Sequence, residues 1–345
     1  MAMVHSVRAF PSSLARALWL RFHKPATATA AAAAHRFLSV DAAASGRRLD
    51  LRGIFPPMVT TFGPQGELAE REVPGNVARW LREPLRGLVV QGSNGESVLL
   101  TEEERVTIVH TVRACLPLDR LLIAGSGCEG TLQTMEMTKK MADAGADAVL
   151  VVTPAYYRGR MTIGAFVNHY TQVANDSPVP VILYSVPGNT ALELPIEAVV
   201  TLAQHPNIIG MKDSGGDISR IATIIHATQK GDFQVLAGSA SFLFAAYALG
   251  AVGGICGLAN VLPGPLCQLH DAWWNGNIAA ARELQLRLLR PNTAVTRRFG
   301  VAGVKQAMEW FGFHGGPCRP PLQALSPSEA SILRQEFVAD GWLTN

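Results

Sequence analysis

The sequence is poor in charged residues. Only 17% of its 345 residues are Asp, Glu, Lys or Arg, and the formal net charge is +3. Much of that small positive excess lies in the first 48 residues, so the rest of the chain lacks the basic stripe of a nucleic-acid-binding protein. The chain also lacks an apolar run of the roughly 20 residues that span a membrane. We therefore expect neither nucleic acid nor a membrane among its partners.

Cysteine is scarce as well. The five cysteines are odd in number and scattered, and no two have C-x-x-C spacing; they are Cys115, Cys128, Cys256, Cys267 and Cys318. This pattern argues against a disulfide framework or a zinc site and fits a reducing compartment. The nine histidines show no H-E-x-x-H or similar spacing either. We expect no metal ion in the protein.

Acidic residues are missing from the start of the chain. Residues 1–48 carry seven Arg or Lys and one acid, Asp41. Basic, acid-poor segments that contain Ser are typical of organelle transit peptides. We predict that residues 1–48 are a mitochondrial transit peptide, disordered or removed, and that the protein works in the mitochondrial matrix. A plastid peptide and an inconsequential tail are alternatives, whereas a secretory signal is disfavoured because no long apolar core is free of Arg.

Short apolar, β-branched runs are abundant after residue 50. Eight of them occupy residues 53–62, 87–92, 121–127, 148–154, 179–187, 208–214, 233–239 and 251–260. Such runs are typical of parallel strands that are buried on both faces. Helical patterns lie between them, and one begins at Thr101 with the residues of a capping box. The repeat predicts an α/β fold, a (β/α)8 TIM barrel over residues 49–262. An open doubly wound sheet is the alternative.

The strand pattern stops after residue 262. Residues 263–345 instead contain several amphipathic helical segments. We predict that they form a C-terminal helical extension, which packs against the barrel or contributes oligomer contacts.

Lys212 is the most unusual candidate for chemistry. Catalytic groups of a TIM barrel lie at the C-terminal ends of its strands, and Lys212 ends the apolar run 208–212. A charged amine is costly to bury there, whereas a neutral amine is what Schiff-base chemistry with a carbonyl requires. The alternative is a lysine at the strand tip that reaches solvent or pairs with Asp213.

Two neighbouring features could complete a site. Tyr184, near the end of the preceding strand, is a candidate acid or base, or else an aromatic that fills the barrel. The turn Gly92-Ser93-Asn94-Gly95 offers a hydroxyl and backbone N–H groups that could bind a carboxylate, or else is an ordinary glycine-rich turn. Residues 125–130 match G-x-G-x-x-G, but the next strand supplies no acid to bind a ribose. We therefore interpret them as a tight barrel turn rather than a nicotinamide site.

The segments GSNGE (92–96), Y-x-V-P (184–187) and GMKDSGG (210–216) resemble the dihydrodipicolinate synthase / N-acetylneuraminate lyase family. The resemblance extends from residue 50 to about 340 and implies a class I aldolase that acts without a cofactor. It also implies a homotetramer, a dimer of dimers, that acts on a small-molecule 2-oxo acid. By the same resemblance Lys212 forms the imine, Tyr184 moves the proton and Tyr156 serves the neighbouring subunit, with Tyr157 as the alternative. The implied substrate-binding residues are Ser93, Asn94, Ser214 and Gly238.

One position departs from part of that family. Members that make dihydrodipicolinate carry an arginine two residues after the proline of Y-x-V-P, where this chain has Asn189. The difference favours the branch that cleaves 4-hydroxy-2-oxoglutarate to pyruvate and glyoxylate. The alternatives are another pyruvate-dependent lyase or synthase of the family, a barrel that binds a 2-oxo acid without catalysis, and a nicotinamide oxidoreductase.

Overall fold

A computed structural model describes residues 49–344, so the predicted transit peptide lies outside the described residues. All eight predicted strands are present, and each is shorter than its apolar run, which continues into the following turn and, for the fifth, seventh and eighth strands, also begins before the strand. The strands are β1 Gly53–Phe55, β2 Gly87–Val90, β3 Leu121–Gly125, β4 Ala148–Val152, β5 Val181–Ser185, β6 Ile208–Asp213, β7 Gln234–Ala237 and β8 Gly253–Ile255.

The strands form a closed parallel barrel. Neighbours in the sequence pair in parallel from β2 through to β8, and β8 pairs with β1. The remaining seam, between β1 and β2, is joined just beyond β1. There Met58 N donates to Val89 O at 2.8 Å, and Val89 N donates to Pro56 O at 3.0 Å. The predicted TIM barrel is therefore confirmed in preference to an open sheet.

One helix follows each strand. These helices are α1 Val73–Trp80, α2 Glu102–Cys115, α3 Thr131–Asp143, α4 Ile163–Asp176, α5 Ile196–Leu202, α6 Ile218–Thr228, α7 Leu243–Ala248 and α8 Pro263–Trp274. A single helical turn, Pro187–Thr190, precedes α5. The predicted capping box is present: Thr101 accepts a hydrogen bond from Glu104 N, and the Glu104 side chain accepts one from Thr101 N. That reciprocal pair fixes where α2 begins.

Three more helices complete the chain: α9 Ile278–Thr293, α10 Gly300–Trp310 and α11 Pro327–Val338. Between α9 and α10, residues Ala294–Arg298 form one π-helical turn. Helices therefore follow the barrel as predicted. The proposed boundary at residue 262 lies between β8 and α8 and stays a prediction. Within residues 49–344, no helix is long and apolar enough to cross a membrane.

Strand alternation divides the core into two layers. Outward-facing side chains pack against the helices, and inward-facing ones fill the barrel. Along β5, Ile182 and Tyr184 face inward while Val181 and Leu183 face the helices. Because β5 and β6 pair with Tyr184 opposite Lys212, the lysine side chain also points into the barrel. The fold thus brings the two predicted catalytic residues together.

Candidate active site

Lys212 and Tyr184 lie side by side at the C-terminal ends of β6 and β5. Their side chains are only 3% and 4% exposed. Lys212 Nζ is 4.0 Å from the centre of the Tyr184 ring. A buried amine in contact with a phenol can attack a carbonyl while a proton-transfer group stands beside it.

Asp213 does not neutralise Lys212. The two residues are adjacent in β6, so their side chains point to opposite faces of the sheet. Asp213 is fully buried on the helix side, where its Oδ2 lies 3.1 Å from Arg220 Nε and its Oδ1 accepts a hydrogen bond from Gly215 N at 2.8 Å. The alternative that Lys212 reaches solvent or pairs with Asp213 is therefore wrong.

The Tyr184 phenol is surrounded by groups that favour its ionised form. Its hydroxyl lies 3.3 Å from Ser93 Oγ. Burial by itself would raise the pKa of Tyr184. The positive charge of Lys212 outweighs that effect, together with hydrogen bonds from Ser93, Lys212 and Ser214, so the phenol pKa lies below its ordinary value of 10. Tyr184 therefore loses its proton more readily than a free tyrosine does.

The turn after β2 presents Ser93 and Asn94 in a constrained conformation. Residues Ser93–Gly95 form one 3₁₀ turn, and the residues just outside it, Gln91 and Glu96, have positive φ angles of 58° and 53°. Such angles are unfavourable for residues other than glycine and persist only where surrounding contacts impose them. One contact is the hydrogen bond that Thr60 Oγ1 donates to Gly95 O at 2.7 Å.

Asn94 has an unsatisfied donor. Its Nδ2 is buried and makes no hydrogen bond within the described part of the chain. It lies 2.8 Å from the point that a Cβ atom on Gly257 would occupy, so a larger residue there would displace the amide. A buried donor without a partner is costly in a folded protein. This orphan amide is suited to donate a hydrogen bond to a carboxylate oxygen.

Glu96 and Lys305 form a buried ion pair beneath this turn. The sequence analysis missed the role of both residues. Their charged groups are 2.6 Å apart, with side chains 0% and 2% exposed. Glu96 Oε2 also accepts a hydrogen bond from Arg319 N at 2.9 Å, and Lys305 Nζ donates to Pro317 O at 2.7 Å. Burial lowers the pKa of Lys305 although Glu96 opposes that shift. The pair connects the β2 turn to α10, far away in sequence.

Ser214 and Gly238 meet beyond β6 and β7. Gly238 N donates to Asp213 O at 2.7 Å. A Cβ atom at Gly238 would lie 2.0 Å from Ser214 Oγ and 2.6 Å from Asp213 O, which leaves no room for any side chain. Glycine is therefore required at this point so that the Ser214 hydroxyl can remain beside Tyr184.

Tyr156 and Tyr157 are not part of this cluster in a single chain. Their side chains are 77% and 75% exposed, and their rings pack edge to face with centres 5.0 Å apart. Glu129 Oε2 accepts hydrogen bonds from Ala155 N and Tyr156 N and so fixes the loop that carries them. The role of Tyr156 in a neighbouring subunit stays a prediction.

The glycine-rich segment 125–130 serves the packing of the barrel. A Cβ atom at Gly125 would lie 2.1 Å from Gln91 O, and one at Gly127 would lie 2.8 Å from Val152 Cγ1. The buried Arg105 side chain donates to Gly125 O at 2.9 Å and to Gln91 Oε1 at 3.1 Å. These contacts account for Gly125 and Gly127 without a dinucleotide. Across residues 49–344, no group of three or more His, Cys, Asp or Glu side chains is arranged to hold a metal ion.

Fold and site together define a TIM-barrel protein with a buried amine beside a phenol. The chain belongs to the dihydrodipicolinate synthetase family, whose profile matches residues 50–338. Membership assigns it to the pyruvate-dependent lyases and synthases.

Individual relatives include two kinds of enzyme. The chain is 35% identical over 283 residues to a 4-hydroxy-tetrahydrodipicolinate synthase of Methanothrix thermoacetophila, covering 82% of this chain and 95% of the relative. It is 32% identical over 290 residues to a probable mitochondrial 4-hydroxy-2-oxoglutarate aldolase of Emericella nidulans, covering 83% and 93%. Among solved structures, the dihydrodipicolinate synthase of Acinetobacter baumannii in complex with pyruvate gives a TM-score of 0.81 at 28% identity, covering 85% of this chain and all of that one.

Proposed function

We propose that the protein is a class I aldolase that cleaves 4-hydroxy-2-oxoglutarate to pyruvate and glyoxylate. The observation that carries the proposal is the buried Lys212 amine in contact with Tyr184, whose hydroxyl lies beside Ser93. An amine that is withdrawn from water and paired with a proton-transfer group is what imine chemistry needs.

The geometry suggests a sequence of steps. The Tyr184 phenolate takes a proton from Lys212, and the neutral amine attacks C2 of the substrate. The Tyr184 hydroxyl then protonates the departing C2 oxygen, so that loss of water leaves an iminium ion and regenerates the phenolate. The C3–C4 bond then breaks as its electron pair moves into the iminium, while the Tyr184 phenolate accepts the proton of the C4 hydroxyl. Glyoxylate departs as the aldehyde, and the Tyr184 hydroxyl returns its proton to C3 of the enamine. Hydrolysis of the resulting iminium ion releases pyruvate and restores Lys212.

Substrate is held at its first carboxylate by the turn after β2. The backbone N–H of Ser93 and the orphan Asn94 Nδ2 supply two donors at the wall of the barrel, while the Ser93 hydroxyl stays beside Tyr184. These donors orient C2 towards Lys212, so that an otherwise bimolecular reaction proceeds within one bound complex. Ser214 and Gly238 would line the rest of the substrate site.

Asn189 supports the hydroxyoxoglutarate substrate. Its side chain is exposed in the helical turn after β5. By the resemblance described above, family members that make dihydrodipicolinate have an arginine at this position. Without that arginine, the carboxylate of aspartate semialdehyde has no charged partner at this position.

A second candidate is a synthase that joins pyruvate to aspartate semialdehyde. The observation in its favour is the similarity to the Methanothrix relative, which carries that enzyme's name. The two functions share the imine with pyruvate and differ in the aldehyde.

One experiment tests both. Purified protein is treated with pyruvate and borohydride, and the adduct is located by mass spectrometry. We expect a stable adduct on Lys212, and its absence would overturn any Schiff-base mechanism. Turnover is then compared between glyoxylate and aspartate semialdehyde as acceptors for pyruvate. Preference for glyoxylate supports the aldolase, and preference for the semialdehyde replaces it with the synthase.

We further propose a homotetramer in the mitochondrial matrix. The exposed tyrosine pair in the β4 loop supports a subunit contact there. The composition of residues 1–48 and the mitochondrial relative support the location. Residues 1–48 fused to a fluorescent protein should direct it to mitochondria, and a diffuse signal would contradict that placement.

A further inference from the structure

The π-helical turn Ala294–Arg298 contacts two of the strand-end loops around the candidate site. Thr296 Cγ2 lies 3.3 Å from the point that a Cβ atom on Gly257 would occupy, and Asn94 Nδ2 lies 2.8 Å from the same point. Arg297 Nη2 lies 3.6 Å from the corresponding point on Gly216. Consecutive side chains of this turn therefore reach the loop after β8, beside the carboxylate-binding amide, and the loop after β6, two residues beyond Ser214.

Arg297 is a cation without an ionic partner among the described residues. Among residues 49–344 it makes no ion pair or side-chain hydrogen bond, and its side chain is exposed. The neighbouring arginines do form ion pairs. Arg298 lies 3.4 Å from Glu336, and Arg220 lies 3.1 Å from Asp213 and 3.5 Å from Glu193. Asp213 and Glu193 are thus already partnered by Arg220, and Asp217 Oδ1 caps α6 by accepting a hydrogen bond from Arg220 N at 3.0 Å, so the Arg297 charge is left for a ligand.

The surroundings of Arg297 keep space open for such a ligand. Gly216 has φ +84°, a conformation that other residues rarely adopt, and a side chain there would point at the guanidinium and at Phe242. The Phe242 ring, 9% exposed, forms an apolar wall at 3.6 Å from the same point. Partial exclusion of water beside a guanidinium strengthens its attraction for an anion.

The substrate proposed above carries a carboxylate at each end. The first would bind at Ser93 and Asn94, and the second, which leaves with glyoxylate, needs a separate cation. We propose that Arg297 binds this distal carboxylate and so determines specificity for an aldehyde that carries one. This inference rests on the proposed function and assigns the second carboxylate to the C-terminal π-helical turn instead of the β5 loop.

Imine-forming ligands of equal length provide the test. 2-Oxoglutarate carries a distal carboxylate, whereas 2-oxopentanoate ends in a methyl group. The concentration of each that half-saturates borohydride trapping at Lys212 is measured in the wild-type chain and in Arg297→Met. We expect the variant to weaken 2-oxoglutarate about 10- to 100-fold, as expected for the loss of a charge-assisted hydrogen bond. 2-Oxopentanoate and pyruvate should change less than about threefold.

Arg298→Met is the matched control. Arg298 is the adjacent residue of the same turn, but it pairs with Glu336 on the surface, so its loss should leave all three ligands unchanged. Equal trapping of 2-oxoglutarate in wild type and Arg297→Met would overturn the inference, and so would equal weakening by both substitutions. Failure of the proposed function is distinct: it appears as no pyruvate adduct, or no glyoxylate product, in the wild-type protein.

Discussion

Tyr184 is the residue whose ionisation we expect to set the working pH of the site. As a base it must be deprotonated, so activity should rise with pH through its pKa. Ser93 donates a hydrogen bond that helps to lower that pKa, together with Lys212 and Ser214. In a plot of activity against pH, the position of the rising limb therefore reports on the contacts of the Tyr184 hydroxyl.

Ser93→Ala should move this limb to higher pH. Removal of the Ser93 hydroxyl leaves burial opposed by fewer stabilising contacts, so the Tyr184 pKa rises and less phenolate is present at neutral pH. We expect kcat at pH 7 to fall about 3- to 10-fold, the value of one hydrogen bond. The measurement is kcat against pH at saturating substrate, which removes the separate effect of Ser93 on carboxylate binding. Ser93→Thr keeps the hydroxyl and should retain the wild-type profile; a limb that stays in place in Ser93→Ala would contradict the role of Tyr184.

Sequence reasoning reached some of these residues and not others. Lys212 and Tyr184 could be predicted because polar residues are conspicuous at the ends of buried strands, and paired strands then place them together. Glu96 and Lys305 could not, because nothing local marks two distant residues as partners. The positive φ angles at Gln91 and Glu96 escaped for a related reason: tertiary contacts impose them against the preference of the residues.

At the scale of elements, the turn after β2 depends on α10. Glu96 lies at the end of that turn, and its buried ion pair with Lys305 spans 2.6 Å. A buried pair need not stabilise a fold relative to apolar residues, but removal of one partner leaves an isolated charge. The pair therefore links the stability of the C-terminal helices to the carboxylate-binding turn.

Glu96→Gln should destabilise the protein by about 3–5 kcal/mol at pH 7, as measured by urea unfolding, because Lys305 is left charged and buried. Loss of Glu96 removes the contact that raises the Lys305 pKa, so burial lowers that pKa further. The unfolded state then binds the extra proton, and stability of the variant should recover as pH rises. Addition of Lys305→Met should restore part of the loss.

The control for that prediction is Glu336→Gln. Its partner Arg298 is 48% exposed, and pairs of this kind contribute about 0–1 kcal/mol. A comparable loss in both variants would mean that burial is not the cause. An increase of the pyruvate KM in Glu96→Gln alone would show that the pair positions Ser93 and Asn94 as well as stabilising the fold.

On the scale of the whole molecule, a single chain leaves several large apolar side chains in water. Val98, Leu132, Tyr156 and Tyr157 are between 70% and 92% exposed, and all lie in or beside the loops after β2, β3 and β4. Exposed apolar groups that share one region often mark protein contacts. The periodic strand pattern predicted the barrel, but it holds no information on which surface meets a second copy, because only side chains outside the repeat decide that.

Subunit mixing would show whether Tyr156 acts on a neighbouring site. Lys212→Ala has no amine but an intact Tyr156, and Tyr156→Phe has the amine without the hydroxyl. Each alone should lose at least about 100-fold in kcat, the scale of proton-transfer catalysis. Because Tyr156 is 77% exposed in its own chain, we expect co-refolded mixtures to regain activity: the Lys212→Ala subunit lends its tyrosine to the intact lysine of its partner. If Tyr156 served its own subunit, no site in the mixture would contain both groups, and activity would stay at the level of the separate variants. Tyr157→Phe distinguishes the two tyrosines. That variant keeps Tyr156, so it should be active by itself, before it is mixed with Lys212→Ala.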